Sequence, residues 1–221
     1  MLEQLKNEVI RIGRMAQAEG LCKHKSGNFS ILDRESGLVV VSPSGVDRDL
    51  LKTDDIIVID MNAAVQENLT GLRPSSEVLM HLAIYKERPD VCSIVHTHSK
   101  YATSFSVLNK PIPAIVYEIM ALNNSEQVIP VAPYGRPGTA DLAQNVAMTM
   151  KHADAVLMQA HGAVAADETD IDGAYLKACY VEELAEMYHH ILSACGGAEP
   201  PVLPASEVRK WAYPSEITFP N

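Results

Sequence analysis

The order in which apolar patterns follow one another constrains this chain more than any other feature. Leu5, Val9, Ile12 and Met15 recur at helical spacing ahead of Gly20. Short β-like runs then come as a group, at residues 28–32, 37–42 and 56–59, broken by residues 33–36 and by Pro43-Ser44-Gly45. Residues 61–73 are polar and read as a loop. Pro74-Ser75-Ser76-Glu77 opens a helix whose predicted apolar face is Val78, Leu79, Leu82 and Ala83, stopped by Pro89. Residues 91–98 read as a strand, and residues 155–157 and 163–166 as two strands flanking His161-Gly162. The last helix, 171–192, carries Ile171, Ala174, Ala178, Val181, Ala185, Tyr188 and Leu192 in steps of three and four, a heptad seam ended by Gly196-Gly197. Such a seam packs on its own sheet or meets a second subunit. The strands are grouped, helices stand at the start, middle and end, and βαβ alternation is missing. This order predicts a mixed or antiparallel sheet covered by helices.

No long linker or fixed-period repeat divides the 221 residues, so 1–221 reads as one domain. The tail from about 198, with Pro200, Pro201, Pro204, Pro214 and Pro220, is irregular and is expected to be mobile, becoming ordered with substrate or a neighbouring subunit. Eighteen basic against 28 acidic residues leave a net charge of −10. That excludes the basic footprint of a nucleic-acid binder. An acidic chain that handles anionic metabolites must gather cations, backbone amides or a metal locally. Cys22, Cys92, Cys179 and Cys195 form no CxxC, and each adjoins an apolar run, the pattern of buried thiols in a reducing compartment. Residues 1–15 carry acids among their apolar residues, unlike a signal peptide, and no apolar run reaches membrane-spanning length. A cytoplasmic location, with no membrane partner, is the expectation.

Chemistry begins at His96-Thr97-His98. Alternate side chains of a strand share a face, so both imidazoles project together and can grip one metal ion. Alone, the spacing describes hydrogen-bonded strand histidines equally well. His161, on a turn before Gly162, and Glu77, at a helix start, complete a set of three neutral nitrogens and one carboxylate that suits Zn2+ or a similar divalent ion. A glutamate at a helix start also serves as an ordinary complement to the helix dipole. His81 falls four residues beyond Glu77 on the same helical face, a candidate to support the ligands, and His189-His190 read as a solvated helix end. A second constellation joins Ser26-Gly27-Asn28, Ser42-Pro43-Ser44-Gly45 and Ser75-Ser76. Hydroxyls and N–H groups at a helix N-terminus favour anions, and Gly27 and Gly45 let backbone amides turn toward a ligand. Each segment alone is an ordinary turn or cap; together they outline a phosphate cradle. Ser76 and Glu77 adjoin, so cradle and metal set would lie within one small substrate's length.

These motifs, with Lys25 through Ser30, His96 through Ser99, Ala132-Pro133-Tyr134 and Gln159 through Gly162, resemble in order the class II aldolase/adducin family, and within it the L-fuculose-1-phosphate aldolase branch. The resemblance spans nearly the whole chain. It implies a three-layer α/β/α fold with a mixed, largely antiparallel central sheet, and a homotetramer with active sites between subunits. It implies Zn2+ held by His96, His98 and His161, with Glu77 as ligand or base. It maps the substrate phosphate to Asn28, Ser44, Gly45, Ser75 and Ser76, to which the turn reading adds Ser26 and Gly27, a tyrosine on the aldehyde side to Tyr117, and a second, from a neighbour's tail, to Tyr213. The implied reaction is reversible cleavage of a ketose 1-phosphate to dihydroxyacetone phosphate and a small aldehyde such as L-lactaldehyde. Sugar-phosphate 4-epimerases of the family carry Asp at the position of Glu77, and its noncatalytic adducin-type heads lack the intact ligand set. Other same-fold alternatives are a dehydratase and a decarboxylase. Two departures, at Pro137 and at residues 123–126, are expected on the aldehyde side. Lys25 and Lys100 are read as peripheral.

Overall fold

The computed structural model describes residues 1–124 and 126–208. Helix α1 (Glu3–Ala18) leads into the hairpin β1 (Asn28–Asp33) and β2 (Leu38–Val41), then β3 (Ile57–Ile59), β4 (Val65–Glu67) and α2 (Val78–Glu87). Strand β5 (Ser93–Thr97), α3 (Lys100–Val107), β6 (Ile112–Pro113), β7 (Val128–Ile129), β8 (Val131–Ala132) and α4 (Ala140–Thr149) follow. The chain continues through β9 (Ala155–Met158), β10 (Gly162–Asp167), α5 (Ile171–Ala194) and the short α6 (Ala205–Val208). Eight strands form one sheet in the order β4-β3-β2-β1-β5-β10-β9-β8. Every pairing in it is antiparallel except β8 with β9. This is the mixed, largely antiparallel sheet that the resemblance implies, within the mixed or antiparallel class that the element order predicts.

The period of two along each strand sorts its side chains into two cores. Phe29, Val40, Val95, Leu157 and Ala165 face one way, against α1, α3 and α5. Val39, Val41, Ile94, Val156 and Val164 face the other, against α2 and α4. Three layers, helix on sheet on helix, result. The α5 seam from Ile171 to Tyr188 is buried on the chain's own β5 and β10, so intrachain packing accounts for the heptad. Asp170 caps that helix, its side chain accepting from the Gly173 N–H at 2.8 Å.

Three expectations are corrected. The polar stretch 61–73 contains β4, an edge strand whose exposed Val65 and Gln66 give no apolar alternation because its pairing with β3 is carried by backbone alone. Helix α2 does not turn Val78, Leu79, Leu82 and Ala83 inward as one face. It buries Met80, His81, Leu82, Ile84 and Tyr85 and leaves Leu79 40% exposed. A histidine counted as polar sits at the centre of the buried arc. Of the four free thiols Cys22 and Cys92 are buried, Cys179 is half-buried and Cys195 is exposed. The tail is tied down as far as α6, Leu203 N–H donating to Ala114 O at 2.8 Å and Gln127 Nε2 to Ala205 O at 3.2 Å. Among the described residues no helix is long and apolar enough to cross a membrane.

Candidate active site

The C-terminal ends of β5 and β9 and the N-terminal ends of β1 and β10 meet at one edge of the sandwich. In the antiparallel register Asn28 lies opposite His96, and His96 opposite Val164. The start of the cradle and the first histidine are therefore cross-strand neighbours. His98 stands just past the end of β5, its N–H donating to Leu21 O. His161 is set by the β9–β10 turn, where its own N–H returns to Met158 O. The strained position of that turn is Ala160, with φ +55°, and not Gly162. Gly162 is needed for a different reason: a Cβ there would lie 2.3 Å from Thr97 O.

The three imidazoles stand edge to face, with ring centroids 4.8–5.0 Å apart. His96 Nε2 is 3.0 Å from His98 Nε2. Glu77 places Oε2 3.2 Å from His96 Nε2 and Oε1 3.4 Å from His161 Nε2. Four donors about 2.0–2.1 Å from one tetrahedral ion would stand roughly 3.4 Å apart, so the spacing fits. His96 Nδ1 donates to Ala163 O at 2.9 Å, since a carbonyl can only accept, and this leaves Nε2 bare and aimed into the cluster. Glu77 makes no capping bond to its helix, and its buried Oε2 accepts no hydrogen bond. A bare His96 nitrogen facing an unsatisfied carboxylate oxygen is what a cation resolves. His96, His98 and His161 can hold a metal ion.

Loss of water is the main cause of the ionisation shifts here. His96 is held well below the ordinary histidine range, with the neighbouring imidazoles adding to burial, and His98 is also lowered, by burial and then Arg48. Burial brings His161 down to about 4 and His81 on α2 down to about 3, and pushes Glu77 up to about 7. A pH dependence follows for the metal-free protein. The four histidines are neutral when folded and protonate when unfolded, so their contribution is lost as pH falls from about 6.5 toward 4 and below. Glu77 acts oppositely, since burying it costs progressively more as pH rises from about 4.5 to 7. The histidines outnumber it, so the metal-free protein is expected to lose stability as pH falls below about 6.5. Urea midpoints measured in chelator at pH 7, 6 and 5 check this; a midpoint that does not move would overturn it.

A cavity of about 440 Å3 opens beside the cluster. Its lining includes Ser26, Gly27, Asn28, Ser44, Gly45, Ser75 and Ser76 of the predicted cradle, together with Glu77, His98 and His161; Ser42 is not in the lining, its hydroxyl accepting from the Phe29 N–H at 3.1 Å. Gly27 (φ +80°) is irreplaceable on two counts, because a Cβ would also stand 2.7 Å from His96 O. Gly45 (φ +73°) faces open space. The Ser42–Gly45 and Arg73–Ser76 segments are bonded to each other, Ser75 N–H to Ser42 O at 3.1 Å and Ser44 N–H to Arg73 O at 2.9 Å. Ser75 Oγ accepts from the Glu77 N–H at 3.2 Å. Sequence reasoning missed Arg48. It is buried and donates to the His24, Ser26 and Gly27 carbonyls, clamping the first cradle loop from behind. Its signal, a lone arginine in an acidic turn, is too common to read.

Other placements differ from expectation. Lys25 lines the cavity and is not peripheral; Pro137 lines it too. Asn123 and Asn124 lie at the opposite end of β9 from His161. Asn124 is buried there, accepting from Asp154 N–H and donating to Ala155 O, so this departure serves the fold and not the site. Tyr117 begins a 3-10 turn (Tyr117–Leu122), is 51% exposed and is not among the cavity-lining residues. Tyr213 lies outside the described residues.

The family model for the class II aldolase and adducin N-terminal domain matches residues 7–189. The chain belongs to the class II aldolase and adducin family. A 5-deoxy-D-ribulose 1-phosphate aldolase of Bacillus thuringiensis serovar kurstaki is 34% identical over 212 residues, 96% of this chain and 95% of that protein. An L-fuculose phosphate aldolase of Escherichia coli (strain K12) is 37% identical over 169 residues, 76% of this chain and 75% of that one. A solved L-fuculose 1-phosphate aldolase superposes with a TM-score of 0.86 at 36% identity, covering 93% of both chains. As a class II aldolase relative with these neighbours, the chain is a lyase of the aldolase kind.

Proposed function

We propose that this protein reversibly cleaves the C3–C4 bond of a ketose 1-phosphate, releasing dihydroxyacetone phosphate and a short aldehyde. The reading rests on one observation above the rest: the hydroxyl- and amide-rich wall of the cavity meets the histidine–carboxylate cluster at adjacent residues, Ser76 and Glu77. A phosphate against the wall would place the C2 carbonyl and C3 hydroxyl of the same molecule at the cluster. Ser26, Gly27, Asn28, Ser44, Gly45, Ser75 and Ser76 would hold the phosphate by hydroxyls and N–H groups, at the N-terminal end of α2 where negative charge is favoured. The single lysine of the lining, Lys25, adds charge.

His96, His98 and His161 would hold Zn2+, whose Lewis acidity polarises a carbonyl and favours the charge left by carbon–carbon cleavage. Glu77 moves the proton at C3 of the dihydroxyacetone half. Burial disfavours its charged form, raising it to about 7 in the metal-free chain, and so favours taking up a proton. Tyr117, outside the lining of its own cavity, would act at the aldehyde oxygen of a site shared between copies in a homotetramer, with Tyr213 from a neighbouring tail.

The substrates named for the two relatives share a phosphorylated dihydroxyacetone half and end in a methyl group. Cleaving them yields L-lactaldehyde or acetaldehyde as the second product. The test is to offer both ketose 1-phosphates to zinc-loaded and to chelated protein and to read triose phosphate through a coupled dehydrogenase. Zinc-dependent release is expected from at least one. An epimer, a dehydrated product or carbon dioxide in its place overturns the aldolase reading, and equal turnover after chelation overturns the metal.

A further inference from the structure

Behind the cradle runs a polar chain that the reaction as described does not use. Ser30, two residues along β1 from Asn28 and on the same face, is completely buried, as are His81 and, nearly so, Tyr85 on α2. Tyr85 OH is 2.7 Å from Ser30 Oγ, Ser30 Oγ is 2.6 Å from His81 Nδ1, and His81 Nε2 is 2.6 Å from Asn28 Oδ1. An amide oxygen only accepts, so His81 Nε2 carries the proton. Its Nδ1 must then accept, which fixes the Ser30 hydroxyl as donor and leaves Ser30 Oγ to accept from Tyr85. Every link runs one way, toward the cavity.

We infer that His81 is a positioning residue that holds the Asn28 side chain in the one orientation that presents its amide N–H2, rather than its carbonyl oxygen, to the substrate phosphate. Asn28 is buried among these partners yet lines the cavity. With Oδ1 occupied by His81, Nδ2 is the group it can offer an anion. Flipped, the same side chain would face a phosphate with a carbonyl dipole and repel it. The buried chain thus turns an ambiguous amide into a committed donor, and burial keeps His81 neutral as this requires. Three polar side chains in a core are costly to bury, and fully bonded in this order they set one rotamer. The inference rests on the phosphate role proposed for Asn28.

A mutant cycle separates the two ideas. Asn28→Ala is expected to raise KM for the ketose 1-phosphate at least tenfold; no change would overturn the phosphate role itself. His81→Asn keeps an atom near Nδ1 but loses the donor to Asn28, and is expected to raise KM about tenfold with kcat within threefold, the size of one positioned hydrogen bond. His81→Gln restores a donor near Nε2 and is expected to recover most of that loss. Adding His81→Asn to Asn28→Ala should change KM by less than about threefold further, because the partner being oriented is gone. Multiplicative effects would leave the phosphate role standing and overturn the positioning. A measurement on the unaltered chain guards against variants that fail to fold. Histidine 15N shifts, with the His81 signal identified by its loss in His81→Gln, should show Nε2 protonated and Nδ1 bare at neutral pH. The opposite tautomer would overturn the inference.

Discussion

Glu77→Gln is expected to lower kcat by about a thousandfold, within the span by which a positioned acid–base group contributes, while metal content and KM stay near those of the parent. The residue is 5% exposed and its side chain makes no capping bond to the helix, so exchanging the side chain removes no cap. Glutamine has the same length and keeps an oxygen to direct at the histidines, whose three nitrogens remain. What it lacks is a group able to take a proton. In the metal-free chain burial alone raises the carboxyl to about 7, so its charged form is the disfavoured one and proton uptake is favoured. Steady-state kinetics with metal analysis on the same preparation checks this. Unchanged turnover at full metal content would remove Glu77 from the chemistry. A parallel loss of metal and turnover would make it a ligand only.

Lys177→Met is expected to be the costliest single change to the fold away from the site, by about 3–5 kcal/mol, as for other buried ion pairs that lose one partner. Lys177 on α5 reaches Asp154 at 2.6 Å and Asp167 at 2.8 Å, and also donates to Ala166 O at 3.3 Å. Arg88 holds Asp154 from its other side at 2.8 Å. Without the lysine, Asp167 keeps backbone donors from Thr169 and Asp170 but no cation, and Asp154 keeps Arg88 and Asn123. The loss should appear as a melting temperature lower by roughly 10 °C for a chain of this size. The double variant Lys177→Met/Asp167→Asn should regain part of it. Because this network closes the end of β9 and β10 remote from His161, kcat measured well below the melting temperature should match the parent. A drop in kcat at that temperature would show that the two ends of the sheet are coupled.

The two expectations differ in how far the sequence alone could carry them. Glu77, His96, His98 and His161 were legible because metal-ligand chemistry admits few residue types, and because an alternating pair on a strand needs no tertiary knowledge to be placed on one face. The cradle segments were legible for a similar reason: Gly27 and Gly45 mark positive φ, and serines ahead of a helix mark exposed donors. The order of the elements also determined the class of sheet, since grouped short strands without crossover helices leave antiparallel pairing as the short connection. Local chemistry and local geometry are written in consecutive residues.

Tertiary structure decided what depends on which distant residues meet. No pattern joins Lys177 to Asp154, or Arg48 to three carbonyls of a loop more than twenty residues earlier, because long polar side chains find partners by three-dimensional proximity and not by spacing along the chain. β4 was hidden because an edge strand with two exposed side chains writes no alternation. His81 was placed beside the metal ligands by its helical spacing from Glu77, whereas the assembled fold brings Ser30 and Asn28 over it, and these engage its two ring nitrogens. Only the assembled sheet makes that histidine part of the cradle, because only there do the donor it carries and the amide it orients face each other.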